Sequence, residues 1–133
     1  MKRSILLGLL VISLVSVFSA ASPASRASAP RVEKAVVQFP QQVKLLNVFL
    51  KGSYLFVHDE DKMAKGEACT SIYEYIDGKQ GKLMTSFHCV PVIRERAGSF
   101  TVRTTRPGAN FLDLVEVTEY QFAGSTEGHQ IPK

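Results

Sequence analysis

Three side-chain types in this chain are able to ligate a soft cation or carry covalent chemistry. They are the cysteines Cys69 and Cys89, the histidines His58, His88 and His129, and the thioether of Met63. Imidazole and thiolate are the usual ligands of zinc and copper. Their spacing holds no Cys-x-x-Cys and no His-x-x-x-His, so no two ligands are locked together by local geometry. His88 and Cys89 are strand neighbours and point to opposite faces, so one ion does not take both. The best ligand subset for copper or zinc is His58 with His88, joined by His129 or Met63.

The two cysteines also carry a competing expectation. Outside the cytoplasm thiols tend to pair. Asp77-Gly78 is a tight-turn signal, and a hairpin folded there returns the Cys69 strand against the Cys89 strand. With Gly78 and Lys79 at the apex, paired positions sum to about 157, which places Cys69 opposite His88. One extra loop residue, which Gly81 permits, brings the cysteines opposite each other. A Cys69–Cys89 disulfide is therefore expected, worth roughly 3 kcal/mol by loop closure.

Other chemistry is thin. Asp59, Glu60 and Asp61 offer oxygen ligands but lack the calcium-loop pattern. Ser86 shares a face with His88, yet no oxyanion feature or partner acid accompanies it. Glu74, Glu116 and Glu119 pair no more specifically than any carboxylates. Arg94, Arg96, Arg103 and Arg106 cluster in sequence as strand-end charges or as a contact for an anionic surface. No basic stripe points to nucleic acid.

The elements that must position these residues read as strands. Leu45–Leu50 and Tyr54–His58 flank Lys51-Gly52-Ser53, read as a turn. Met63–Glu67 fits a helical turn or a loop. Cys69–Ile76 and Lys82–Val92 are hairpin partners, and Pro91 marks an edge or an end. Ser99–Thr105 alternates, Arg106–Asn110 turns, and Phe111–Phe122 is the last long strand. Residues 33–43 leave room for a short helix, limited by Pro40. The segment from Ala123 to Lys133 reads as a polar tail. Short strands at this spacing predict a mainly β fold, a small antiparallel sandwich or barrel with a flexible N-terminal segment.

The N-terminus sets the compartment. Lys2 and Arg3 precede an apolar run from Ile5 to Phe18, and Ser19, Ala20 and Ala21 follow. These are the three parts of a secretory signal peptide, 1–21. The run is shorter than the roughly 20 apolar residues of a spanning helix, so no stable membrane span is expected after cleavage. Residues 22–31 form a small-residue and proline spacer, and 32–133 form one domain. Loss of Lys2 and Arg3 lowers the formal charge of +4 to +2. The expected location is secreted or periplasmic.

The runs Leu50-Lys51-Gly52-Ser53-Tyr54-Leu55-Phe56-Val57-His58, Ser86-Phe87-His88-Cys89-Val90-Pro91 and Phe122-Ala-Gly-Ser-Thr-Glu-Gly-His129 resemble small exported bacterial proteins of uncharacterised function. The resemblance implies export and a small β-fold, and it assigns no site residue. The sequence thus leads to a non-enzymatic exported module that contacts a protein, a surface or a small ligand. The alternative is a copper or zinc protein built on His58 and His88.

Overall fold

A computed structural model describes residues 31–108 and 114–133. The expected signal peptide, and all of the spacer but Arg31, lie outside the described residues. The protein is mainly β. Its strands in chain order are β1 (Val32–Leu45), β2 (Val48–Asp59), β3 (Thr70–Ile76), β4 (Lys79–Phe87), β5 (Val90–Ile93), β6 (Thr101–Thr105), β7 (Val115–Gln121) and β8 (Glu127–Gln130). One short helix, α1 (Glu60–Ala64), follows β2. The strand order is β4-β3-β2-β1-β7-β8-β5, with β6 on the other edge of β7. All pairings are antiparallel except β1 with β7, which is parallel at Val43↔Val115 and Lys44↔Glu116. The architecture is therefore one mixed eight-stranded sheet, neither closed as a barrel nor purely antiparallel.

The sheet bends back over its own inner face, and β1 supplies the bend. Its pairing with β2 runs regularly from Val32↔Asp59 to Phe39↔Gly52, breaks, and resumes at Val43↔Leu50. Pro40 lies in the break, where a missing N–H costs no ladder bond. The segment once open to a helix is thus a strand. Phe56 of β2 meets Phe100 and Tyr120 edge-on, with centroids 5.4 Å away in both cases. Thr70 of β3 shares a hydrogen bond with the Tyr120 hydroxyl on β7. Such edge-to-face contacts suit the ring quadrupoles. Leu45, Leu50, Ile72 and Phe87 complete this core.

Two turns differ from the sequence reading. Lys51-Gly52-Ser53 does not reverse the chain, because β2 runs through it. Gly52 there has φ +99 and lies opposite Phe39, beside the β1 break. The polar residues mark an outward stretch of one strand. The reversal is at Leu46-Asn47, with Leu46 at φ 51. Asp77 and Gly78 do turn as expected, both at positive φ. The polar tail is corrected more fully. Glu127–Gln130 is β8, sandwiched between β7 and β5. Gly128 permits this, since a Cβ there would sit 2.5 Å from Glu119 Oε1. Pro91 lies on β5, at the end of the strand order.

The arginine cluster serves the fold. Arg94 Nε and Nη2 donate to Glu119 at 2.8 and 2.7 Å, and Arg103 Nε lies 3.3 Å from the same carboxylate. Arg96 donates to the Gly124 carbonyl. The hydrogen bond from Arg94 holds the Glu119 carboxyl below the usual carboxylate range. Its folded pKa is therefore below its unfolded value, so the stabilisation is present above the unfolded value and disappears as pH falls through the folded one. Glu119→Gln will cost about 1.5–3 kcal/mol at neutral pH, the range for a hydrogen bond to a charged group. Urea titrations at neutral and at strongly acidic pH check this, and the gap between variant and parent will narrow in acid.

Candidate metal centre

Five elements converge on one end of the core. His58 is the penultimate residue of β2, and Cys69 immediately precedes β3. Cys89 lies between β4 and β5, β8 carries His129, and α1 carries Met63. The hairpin register explains the cysteines. Pairing near the Asp77-Gly78 turn sums to 155, as in Ile76↔Lys79. Irregularities at Ile72/Tyr73 and Tyr73/Tyr75 shift it to 157 at Thr70↔Phe87. That projects Cys69 toward His88. β4 ends at Phe87, the chain turns inward, and Cys89 rather than His88 meets Cys69.

The two sulfurs are 3.1 Å apart and both thiols are free. A disulfide bond is about 2.05 Å long, so the expected bridge is not formed. The Cys89 N–H donates to Cys69 Sγ at 3.3 Å. His129 Nδ1 lies 3.5 Å from Cys89 Sγ, and Met63 Sδ lies 3.9 Å from it. The His58 and His129 rings are 4.1 Å apart. One ligand atom each from His58, Cys69 and Cys89 lie within 4.8 Å of one another. All four side chains are at most 2% exposed.

His88 is the sequence candidate that the structure removes. It is exposed, and its Nδ1 donates to the Glu67 carbonyl at 2.8 Å. It stays 3.8 Å from Cys69 Sγ on the outer side. His88 and Cys89 lie between β4 and β5 rather than in a strand, and His88 is absent from the groups of ligand atoms that include His58 among the described residues. His58, His129 and Met63 do come together, around thiols that had been assigned to a disulfide. The Asp59-Glu60-Asp61 run has another use: Asp59 Oδ1 accepts from the Asp61 and Lys62 N–H groups and caps α1. Ser86 Oγ donates to the Thr70 carbonyl.

Burial governs the protonation of the cluster. It pushes the Cys89 thiol up to about 12, reinforced by the bond with Cys69. It also lowers both imidazoles, His129 to about 4 with help from the His58 charge. The Tyr120 phenol, stacked on His129 with centroids 4.9 Å apart, is likewise pushed up. Burial thus favours the neutral forms of Cys89, His58 and His129. A neutral imidazole has one N–H and one lone pair. Yet both His58 nitrogens and His129 Nε2 are buried with no hydrogen-bond partner among the described residues. Such groups normally cost 1–3 kcal/mol each.

This donor set fits a tetrahedral ion. Bonds of about 2.0–2.3 Å place ligand atoms roughly 3.3–3.8 Å apart. The 3.5 Å contact of His129 Nδ1 with Cys89 Sγ matches the separation of one nitrogen and one sulfur on such an ion, and the two sulfurs, 3.1 Å apart, open to about 3.8 Å when both bind it. Two thiolates and two neutral imidazoles around a divalent cation form a centre of zero net charge, which suits a buried site. The chain matches no known protein family, no characterised protein and no solved structure.

Proposed function

We propose that this chain is a small exported β-domain that binds one thiophilic cation, zinc foremost and cuprous copper second. Cys69, Cys89 and His58 are the ligands, with His129 as the fourth. The observation that carries the proposal is the buried convergence of His58, Cys69 and Cys89, with His129 Nδ1 3.5 Å from Cys89 Sγ, and three ring nitrogens that lack a hydrogen-bond partner among the described residues. The thioether of Met63 beside Cys89 extends the soft character of the site. No catalytic step is assigned to it.

The test is native mass spectrometry of the reduced, full chain titrated with Zn²⁺ and with Cu⁺, before and after a chelator. One chelatable ion per chain is expected, with two protons lost per zinc bound. Cys69→Ser and Cys89→Ser will each lower affinity by at least a hundredfold. A chain that takes up no ion when reduced overturns the proposal.

A second reading keeps the protein as a non-enzymatic module that contacts a protein, a surface or a small ligand, stapled by a disulfide. The close sulfur contact supports it. In an oxidising compartment the same two sulfurs need approach by only about 1 Å to bond. A native mass two daltons short, with no metal on the isolated protein, selects this reading.

A further inference from the structure

His58 faces a second set of ligands on its other side. Glu33 on β1 lies across the β1–β2 ladder as the paired neighbour of His58. Glu33 Oε2 is 4.0 Å from His58 Nδ1, too far for a hydrogen bond. One carboxylate oxygen of Glu33 and one nitrogen each of His58 and His129 lie within 4.8 Å of one another. The thiol set is sealed, but this set is not. Glu33 lines a cleft of about 390 Å³ together with Arg31, Glu60, Arg96 and Glu127. Its side chain is 25% exposed, whereas that of His58 is 1% exposed. The Glu33 carboxylate therefore spans from solvent to buried, unpartnered imidazole nitrogens.

The cations of the cleft are already occupied. Arg31 lies 3.4 Å from Glu60, and Arg96 donates to the Gly124 carbonyl. Glu127 adds a second carboxylate, 3.8 Å from His129 Nδ1. Burial, with Glu60 and Glu127 nearby, raises the Glu33 carboxyl against the opposing pull of Arg31. A cation between these acids and the imidazoles relieves both the mutual repulsion and the orphaned nitrogens.

We infer that Glu33, His58 and His129 form a second, outer binding station for a borderline divalent cation, reached through this cleft. Two imidazoles and one carboxylate are an established zinc donor set that leaves a fourth position open. The outer station shares His58 and His129 with the inner one, so an ion entering by the cleft exchanges Glu33 for the thiolates while staying on the same two side chains. Each thiol releases its proton to solvent as it binds. The loading role rests on the thiol–imidazole reading above. The outer station itself does not.

The probe is Co²⁺ added to the reduced full chain, because thiolate ligation gives an intense charge-transfer band and oxygen–nitrogen ligation only weak visible bands. The Cys69→Ser/Cys89→Ser chain is expected to bind one Co²⁺ with weak bands alone, and adding Glu33→Gln will lower that affinity about tenfold or more. In the parent chain, Glu33→Gln will leave the final charge-transfer band unchanged but slow its appearance in stopped flow by about tenfold. This second variant needs no change in the core. A thiol-free chain that binds no Co²⁺, with unaltered loading by Glu33→Gln, overturns the outer station while leaving the inner one intact. Weak-band binding in both the thiol-free and parent chains, with no charge-transfer band, keeps the outer station and defeats the thiol reading.

Discussion

Saturating the reduced chain with zinc will raise its thermal midpoint by roughly 15–30 °C. An ion at a thousand times its dissociation constant adds about 4 kcal/mol to the native state, and each kcal/mol moves a domain of this size by about 4–8 °C. The increment is large because the ligands come from separate parts of the chain. His58 lies near the end of β2, Cys69 precedes β3, Cys89 follows β4 and His129 lies on β8. An ion bound to all four ties the β2–β4 half of the sheet to β8, which otherwise joins β7 and β5. The unfolded chain cannot gather these ligands, so binding energy becomes folding energy. Calorimetry with and without a chelator checks the shift. The Cys69→Ser/Cys89→Ser chain will lose most of it, keeping only what the outer station supplies. A midpoint indifferent to zinc in the reduced protein counts against the inner centre.

The parts of the fold legible in the sequence were those governed by neighbours along the chain. Alternation of apolar residues located most of the strands, Asp77-Gly78 located its turn, and Pro91 located an edge. Lys51-Gly52-Ser53 misled because a polar, glycine-containing run is compatible with both a turn and an outward stretch of strand. Only the pairing of Gly52 with Phe39 distinguishes them. β8 was hidden for the opposite reason: Glu127–Gln130 carries no apolar pattern, and a strand flanked by β7 and β5 needs none of its own. The site followed the same division. The types of ligand were visible, and the structure sets His129 and Met63 beside Cys89, with the His58 ring next to that of His129. The facing of Cys69 and Cys89 was expected from the hairpin, but as a disulfide and through one extra loop residue; instead the register leads Cys69 toward His88, and the chain leaving β4 after Phe87 brings Cys89 there as a free thiol. Glu33 had no signal at all, since its role arises from a cross-strand pairing with His58.

Replacing both buried imidazoles by apolar side chains, His58→Leu with His129→Phe, will make the metal-free protein more stable and unable to bind metal at either station. In the metal-free chain three of their four ring nitrogens lack a hydrogen-bond partner among the described residues, and the rings pack against Phe122 and Tyr120. Apolar replacements of similar shape remove that penalty, by about 1–3 kcal/mol per group. The gain will grow in acid, and its sign follows from the titration. Burial depresses both histidines, His129 to about 4. An unfolded histidine protonates near 6.5. Below that value the unfolded chain takes up protons that the folded chain refuses, so native stability falls with pH until His129 protonates in place. Each pH unit of that window costs about 1.4 kcal/mol for one group, so His129 alone removes roughly 3 kcal/mol between pH 6.5 and 4. The double variant will show no such slope in chemical denaturation from pH 7 to 4. Should the double variant instead prove less stable than the metal-free parent at pH 5, the two rings are core packing, and the partnerless nitrogens lose their meaning as ligands.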